Sequence, residues 1–452
     1  MENSNNQTVL TPNSEAPKIS MNIPDTDKPR VVVIGGGFGG IELVKTLGKE
    51  SPFQVVLFDR HNYHTFQPLL YQVATSGLEP DSIAAPLRKV FKGYKDFYFR
   101  MAEVKKIIPE SNSIDTTIGT LKYDYLVIAT GSRTNYYGNT ELQKKAFPMK
   151  QVPQVLDLRS KILQNFENAL LSTDSEQLDS LLDIVIVGGG ATGVELAGAL
   201  AELRKKVLPK DLPEIDFKKM DIILIENGPK LLNGMSENAS VHALKYLQEF
   251  GVNVKLNTGV LNYDGYTIKL KDGSELYSQT VIWAAGVMGT IIEGLNAEAV
   301  KGSRYQVDLF NKVNGYQTIF AIGDPAAMIT DKLPKGHPML AQVAIQQGKN
   351  LANNLKAFMK NKSAVWKSFS YYDKGSMATV GRNRAVVDLP KWKFSGTFAW
   401  FTWMFVHLLF LVGFRNKVTT LINWIWNYFT FDRATRLIIR PWVKAHSENR
   451  EE

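Results

Sequence analysis

Arg30-Val-Val-Val-Ile-Gly-Gly-Gly-Phe-Gly-Gly40 is the stretch that decides the fold. An apolar run without polar alternation, ending in glycine, indicates a strand buried on both faces of a parallel sheet. The helix-like stretch Ile41 to Leu47 follows at once. Gly35, Gly37 and Gly40 take the spacing GxGxxG. The first glycine makes a tight turn, the second lets a pyrophosphate approach the backbone, and the third packs helix on strand. Helix N-terminal amides would then hold the phosphate charge. The next strand, Gln54-Val-Val-Leu-Phe-Asp59, ends in an acid 19 residues after Gly40, close to the roughly 20 expected for a ribose-binding carboxylate. Asp59 is the ribose candidate.

The pattern occurs twice. Ile184 to Leu200 aligns without gaps on Val31 to Leu47, with 8 of 17 positions identical. Its glycines are Gly188, Gly190 and Gly193, and its following strand, Asp221-Ile-Ile-Leu-Ile-Glu226, again ends in an acid. Glu226 lies 33 residues after Gly193, the extra length falling in the Pro-containing insert Leu208 to Lys219. A carboxylate there accepts from a free ribose 2′-hydroxyl and repels a 2′-phosphate, so NADH is expected over NADPH. Two dinucleotide sites in 452 residues agree with the two or three domains that length suggests. The chain has no cysteine, which removes thiolate nucleophiles, redox disulfides, cysteine zinc sites and cysteine-ligated iron-sulfur clusters. No metal is expected, and redox chemistry requires an organic cofactor.

The formal charge of +9 is uneven along the chain. Residues 1–360 carry 39 Lys+Arg against 38 Asp+Glu, a balance of +1, and residues 361–452 carry 14 against 6, a balance of +8. The same segment concentrates Trp and Phe, and basic residues beside these rings suggest a membrane surface. Phe398 to Phe414 is an almost unbroken apolar stretch of 17 residues, just short of the roughly 18 to 20 of a spanning helix. The next helix sorts Asn416, Thr419, Thr420, Asn423, Asn427 and Thr430 from Val418, Leu421, Ile422, Ile425 and Phe429, an amphipathic pattern. Arg433, Arg436 and Arg440, beside Trp442, are expected to face the lipid. Monotopic attachment is expected, with one spanning helix and a buried hairpin at a dimer interface as the other options. Residues 1–28, polar and without an apolar signal stretch, read as a solvated tail on a protein kept in the cytosolic compartment.

Tyr125-Leu-Val-Ile-Ala-Thr-Gly-Ser132, Val281-Ile-Trp-Ala-Ala-Gly286 and Ile319-Phe-Ala-Ile-Gly-Asp324 complete a set that resembles the two-dinucleotide-domain flavoprotein reductases. Three further motifs, Asn62 to Leu78, Ala341-Gln-Val-Ala-Ile-Gln-Gln-Gly348 and Lys374 to Arg382, resemble those of the type II NADH:quinone oxidoreductases. Pro325 departs from that pattern, where a Cys or small apolar residue is expected. Disulfide reductases, thiol peroxidases and sulfide-oxidising quinone reductases need cysteine sulfur and are excluded.

The resemblance implies an α/β fold of two Rossmann-like dinucleotide-binding domains, the FAD domain split by an inserted NADH domain, plus a C-terminal amphipathic helical region that anchors to a membrane. The expected boundaries are 1–28 for the tail, 29–150 and 291–365 for the FAD domain, 151–290 for the NADH domain and 366–452 for the membrane-associating region. It implies non-covalent FAD at Gly35, Gly37, Phe38, Gly39, Gly40, Asp59, Arg60, Thr130, Gly131, Gly323, Asp324, Ala341 and Gln342. NADH is expected at Gly188, Gly190, Thr192, Gly193, Glu195, Glu226, Ala285 and Gly286. Asp324 also suits a helix N-cap. Gln342 and Gln346, four apart on one helical face, would meet a quinone head group, although an ordinary polar face gives the same pattern. Glu195 is implied as a functional carboxylate near the nicotinamide; Glu42 holds the equivalent place in the first repeat, so both also fit a response to the helix dipole. His61 and His64 are expected as packed residues, and His407 likewise.

The activity implied is two-electron reduction of a lipid quinone, ubiquinone or menaquinone, by NADH without proton pumping. The enzyme would be a homodimer held monotopically on the cytoplasmic face of the inner membrane, with no nucleic-acid partner. A soluble reductase of an acidic carrier such as a ferredoxin, docking on the basic C-terminal surface, is the alternative. A nucleotide-sensing or nucleic-acid-binding flavoprotein is a third reading.

Overall fold

The computed structural model describes residues 20–432 and 435–443. Most of the expected tail, and Arg433, lie outside the described residues.

The first sheet has five parallel strands in the order Ile319–Ala321, Tyr125–Ile128, Arg30–Ile34, Gln54–Asp59, Phe97–Met101. Strand Arg30–Ile34 sits at its centre, as an uninterrupted apolar run requires. Its alternate residues point to opposite faces. Val31 and Val33 pack with Ile41 and Leu43 of α1 (Phe38–Leu47), while Val32 and Ile34 pack with Ile114 and Tyr305. The second sheet repeats the plan in the order Asn253–Lys255, Ile222–Ile225, Ile184–Val187, Thr280–Trp283, Phe147–Pro148, again all parallel. It is followed by α2 (Ala191–Lys206). Phe147–Pro148 joins this second sheet a few residues ahead of the position expected from sequence. Ser132–Thr134 and Val287–Gly289 pair antiparallel, one from each connection, so the inserted unit is entered and left through adjacent strands.

Both glycine turns need their first residue. Gly35 has φ +109°, and a Cβ there would lie 2.2 Å from the Ala129 carbonyl oxygen. Helix α3 (Ala341–Lys360) returns to the first domain and crosses α1 backbone to backbone, a Cβ on Gly348 falling 2.5 Å from the Gly39 carbonyl oxygen.

The C-terminal region is an antiparallel sheet of Ser376–Thr379, Ala385–Asp388 and Lys393–Ser395, followed by α4 (Thr397–Phe410) and α5 (Phe414–Thr430). The sheet lies directly on α2, since a Cβ on Gly198 would stand 2.5 Å from the Val380 carbonyl oxygen. The apolar stretch Phe398 to Phe414 is broken at Leu411–Gly413, Gly413 adopting φ +94°. Among the described residues no helix is long and apolar enough to cross a membrane, which corrects the spanning option.

Helix α5 sorts its residues as expected, and its polar face turns inward. Asn416 donates to the Ala84 carbonyl at 2.9 Å, Thr420 to Ser82 at 3.4 Å and Asn427 to Gly77 at 3.1 Å. Trp424 Nε1 donates to Gln72 Oε1 at 2.8 Å. Carbonyls of the Gly77 turn, the short helix Pro80–Ile83 and the strand Ala84–Pro86 thus find donors on the helix. Phe414, Ile422, Ile425, Trp426 and Phe429 are left exposed, as are Phe398, Phe401, Phe405 and Leu409 of α4. The arginines expected against lipid do something else. Arg436 pairs with Asp211 at 2.5 Å and Arg440 with Asp157, while Trp442 donates its backbone N–H to Gln164 Oε1 at 2.8 Å. Opposite charges on the second domain strap the chain end down.

Candidate functional site

A cleft of about 720 Å³ opens at the carboxyl ends of the first sheet, lined by Gly35 to Gly37, Asp59, Arg60, Thr130 to Arg133 and Lys150. A Cβ on Gly37 would meet nothing within 4 Å, so the turn leaves the approach a pyrophosphate needs. Asp59 Oδ2 accepts from the Gly36 N–H at 2.6 Å and Oδ1 from the His61 N–H at 2.7 Å. The acid thereby fixes the glycine turn as well as facing the cleft; burial pushes its carboxyl above the usual range. At the far end Ser132 donates to Asp324 Oδ2 at 2.5 Å, with the Lys150 ammonium 3.9 Å from the same oxygen. Asp324 caps no helix. The Gly323 N–H donates to Gln347 Oε1 at 2.7 Å, and Thr130 donates to the Thr290 carbonyl at 2.7 Å. A roomy cleft with an open glycine turn, a helix N-terminus and a half-buried cation fits an anionic dinucleotide.

The second domain repeats the device. Glu226 Oε2 accepts from the Gly189 N–H and Oε1 from the Gly228 N–H, both at 2.6 Å. Gly190, like Gly37, has an open Cβ direction, and Thr192 is exposed beside it at the start of α2. The long spacing to Glu226 is absorbed by the short helix Leu208–Asp211 and the loop after it. Ala285 offers its carbonyl to the Tyr137 hydroxyl at 2.9 Å, next to Gly286.

Glu195 is buried where α2, the C-terminal sheet and α4 meet. Its Oε1 accepts from the Thr379 N–H at 3.3 Å and from Trp403 Nε1 at 3.1 Å. Burial pushes its carboxyl up to about 8, with these two donors opposing. Glu195 is the fifth residue of α2, past the first turn, where a helix dipole acts most strongly on a carboxylate. The carboxyl lines a cavity of about 100 Å³ shared with Gln72, Thr75, Glu202 and Arg382.

Gln342 and Gln346 do share one face of α3, and that face meets protein. Gln342 donates to the Gly375 carbonyl at 3.0 Å and accepts from Lys374 N–H at 3.2 Å. Gln346 donates to the Tyr372 carbonyl at 2.9 Å and accepts from its N–H at 3.0 Å. Both amides bind the backbone like strand partners, on the face that was expected to meet a quinone head group.

A second cleft, about 420 Å³, lies between α1, α3 and the α4–α5 turn, lined by Phe38, His64, Ile345 and Leu409 to Phe414 with Glu42, Lys45 and Lys417. Phe38 and His64 also line the dinucleotide cleft. His64 Nδ1 sits 3.1 Å from the Gly36 carbonyl, and burial pushes the ring down to about 4. His407, stacked on Trp403 at 4.0 Å, is pushed to about 4 by the same cause. Both are neutral at pH 7, as expected for packed rings.

Gln347, Lys150, Ser132 and Trp403 escaped the sequence reading. Gln347 adjoins Gln346 and faces the other way; the others act on partners too distant in sequence for any local pattern to show.

Residues 29–348 match the family model described as pyridine nucleotide-disulphide oxidoreductase, and residues 373–433 match the NDH2 C-terminal domain. A type II NADH:quinone oxidoreductase of Mycobacterium tuberculosis is 36% identical over 420 residues, covering 90% of this chain and 89% of that one. Among solved structures, NDH2 from Plasmodium falciparum in complex with NADH superposes with a TM-score of 0.85 at 23% identity, covering 91% of this chain and 100% of that one. A ferredoxin reductase from Rhodopseudomonas palustris reaches 0.61 at 17% identity, over 80% of this chain and 83% of its own. The chain belongs to the pyridine nucleotide-disulphide oxidoreductase family and, within it, to the type II NADH:quinone oxidoreductases.

Proposed function

We propose that this protein is an FAD enzyme that oxidises NADH and reduces a lipid quinone to quinol by two electrons, without proton pumping. One observation carries the reading: Phe38 and His64 form a wall common to the dinucleotide cleft and to the apolar cleft beneath the exposed helices. An electron acceptor soluble in lipid can thus come within one side chain of the redox centre. FAD, when bound, takes two electrons from NADH and yields them to the quinone. The chain supplies the rest. Asp59 and Glu226 hold the glycine turns and face the riboses. Gln347 and Ser132 fix Gly323 and Asp324, and Lys150 contributes positive charge beside Asp324 in the cleft that would hold the cofactor. Quinol formation consumes protons, and Glu195 is a buried carboxyl, raised to about 8, that can hold one near neutral pH.

The exposed apolar faces of α4 and α5 suit a monotopic seat on the cytoplasmic side of the inner membrane, and a homodimer would enlarge it. An acidic carrier protein is disfavoured, because Arg436 and Arg440 are engaged by the protein's own acids. The test is anaerobic: one equivalent of NADH should bleach the flavin, and a quinone analogue should restore its colour rapidly. Slow restoration would remove the quinone reading.

A further inference from the structure

Helix α4 touches two worlds. Phe398, Phe401 and Phe405 are exposed on its outer side, while Ala399 and Trp403 are buried on its inner side, with His407 one turn further. The inner ring reaches Glu195 directly, Trp403 Nε1 donating to Oε1 at 3.1 Å. His407 holds that indole in register by stacking on it, its Nδ1 2.7 Å from the Trp403 carbonyl. We propose that Trp403 is a positioning residue through which the seating of α4 on the membrane is felt at Glu195. The inference rests on Glu195 as the proton-holding group and on α4 as a lipid-facing helix, and adds the link between them.

The physical basis is a buried carboxyl with few donors. In a low-dielectric site each donor to the ionised form counts more than in water. Thr379 donates from the C-terminal sheet, a rigid element locked on α2 at Gly198. Trp403 donates from α4, a helix whose outer face would meet the lipid. The other groups facing the cavity are Tyr71, Gln72 and Thr75 from the first domain, Trp424, Asn427 and Tyr428 from α5, and Glu202 with Arg382. The last two are the charged ones besides Glu195 among the described residues. Glu202 Oε1 accepts from the Arg382 N–H at 2.5 Å, and the Arg382 guanidinium donates to the Tyr428 and Asn427 carbonyls at 2.7 and 2.8 Å. They are tied to the docked end of α5 rather than to α4. His407, neutral at pH 7, adds no titrating charge there.

The test reads ionisation itself. The infrared C=O band of the protonated Glu195 carboxyl, identified by its loss in Glu195→Gln, is titrated in the full-length holoprotein, free and bound to phosphatidylcholine–phosphatidylglycerol vesicles. In the wild type the midpoint should differ between the two states. Trp403→Phe keeps an aromatic ring and removes the donor, so its midpoint should lie higher than the vesicle-bound wild type by about one pH unit and be the same free or bound. Phe401→Ser with Phe405→Ser, which leaves Glu195 untouched, should carry the value in the presence of vesicles to that of the free protein. Thr402→Val should follow the wild type. A wild-type midpoint indifferent to vesicles, a Trp403→Phe midpoint equal to that of the vesicle-bound wild type, or a vesicle-dependent shift surviving in Trp403→Phe would each overturn the proposal. Quinone reoxidation of the flavin, measured alongside, reports separately on the proposed function.

Discussion

Glu195 keeps a proton in the folded state that it gives up when unfolded, because burial raises its affinity from the ordinary 4.5 to about 8. The folded state therefore binds more protons than the unfolded one between these values, and stability falls as pH rises through that window. Glu195→Gln should flatten this part of the dependence of Tm on pH, measured by calorimetry from pH 5 to 8; an unchanged slope would count against the assignment. Glu226 acts through two backbone donors and a free edge. Glu226→Gln exchanges one acceptor for a donor facing an N–H, so KM for NADH should rise by about tenfold, from roughly 1.4 kcal/mol of lost binding, with the flavin still bound. At this scale the sequence was readable wherever partners were local. The glycines and their acids sit within one βαβ unit, so spacing alone located Asp59. Trp403 lies 208 residues from Glu195, and no periodicity connects them. Lys150, paired with Asp324, was hidden for the same reason.

Among the elements, α5 shows that a pattern can be right and its orientation unstated. The division into polar and apolar faces was legible, yet a periodic helix does not say which face meets protein. Here donors on the polar face meet backbone carbonyls of Gly77, Ser82 and Ala84, and that decided it. Replacing Ile422 and Trp426 by serine should abolish vesicle binding in a co-sedimentation assay while shifting stability by less than about 0.5 kcal/mol each, since both are exposed. Retained binding would remove α5 from the membrane seat. Gly198 makes the opposite kind of contact. Any side chain there meets the Val380 backbone, so Gly198→Leu should cost about 1–3 kcal/mol and lower Tm in a thermal scan.

On the scale of the whole molecule, the two clefts meet at the wall of Phe38 and His64. Ile345 lines only the apolar one. Ile345→Trp should slow flavin reoxidation by quinone by about tenfold or more while leaving reduction by NADH unchanged in stopped flow; equal slowing of both would argue against the division. The duplicated domains were foreseeable because each carries its own fingerprint. The meeting of the clefts was not, since it depends on how α3 and the α4–α5 turn pack over Phe38, a matter of tertiary docking.

On the proposed membrane seat, the inward polar face of α5 would also govern how the protein parts from a bilayer. Its hydrogen bonds close on the protein itself, so nothing in that grip depends on the lipid, and the helix stays folded against its own domain on detachment. What detachment exposes is a broad greasy surface of Phe, Ile and Trp. A salt wash or a chelator relieves none of that, because the cost is hydrophobic. Extraction should need an amphiphile that takes the place of the membrane. Dilution below its critical micelle concentration should bring self-association through this surface, with the interior of each copy still native.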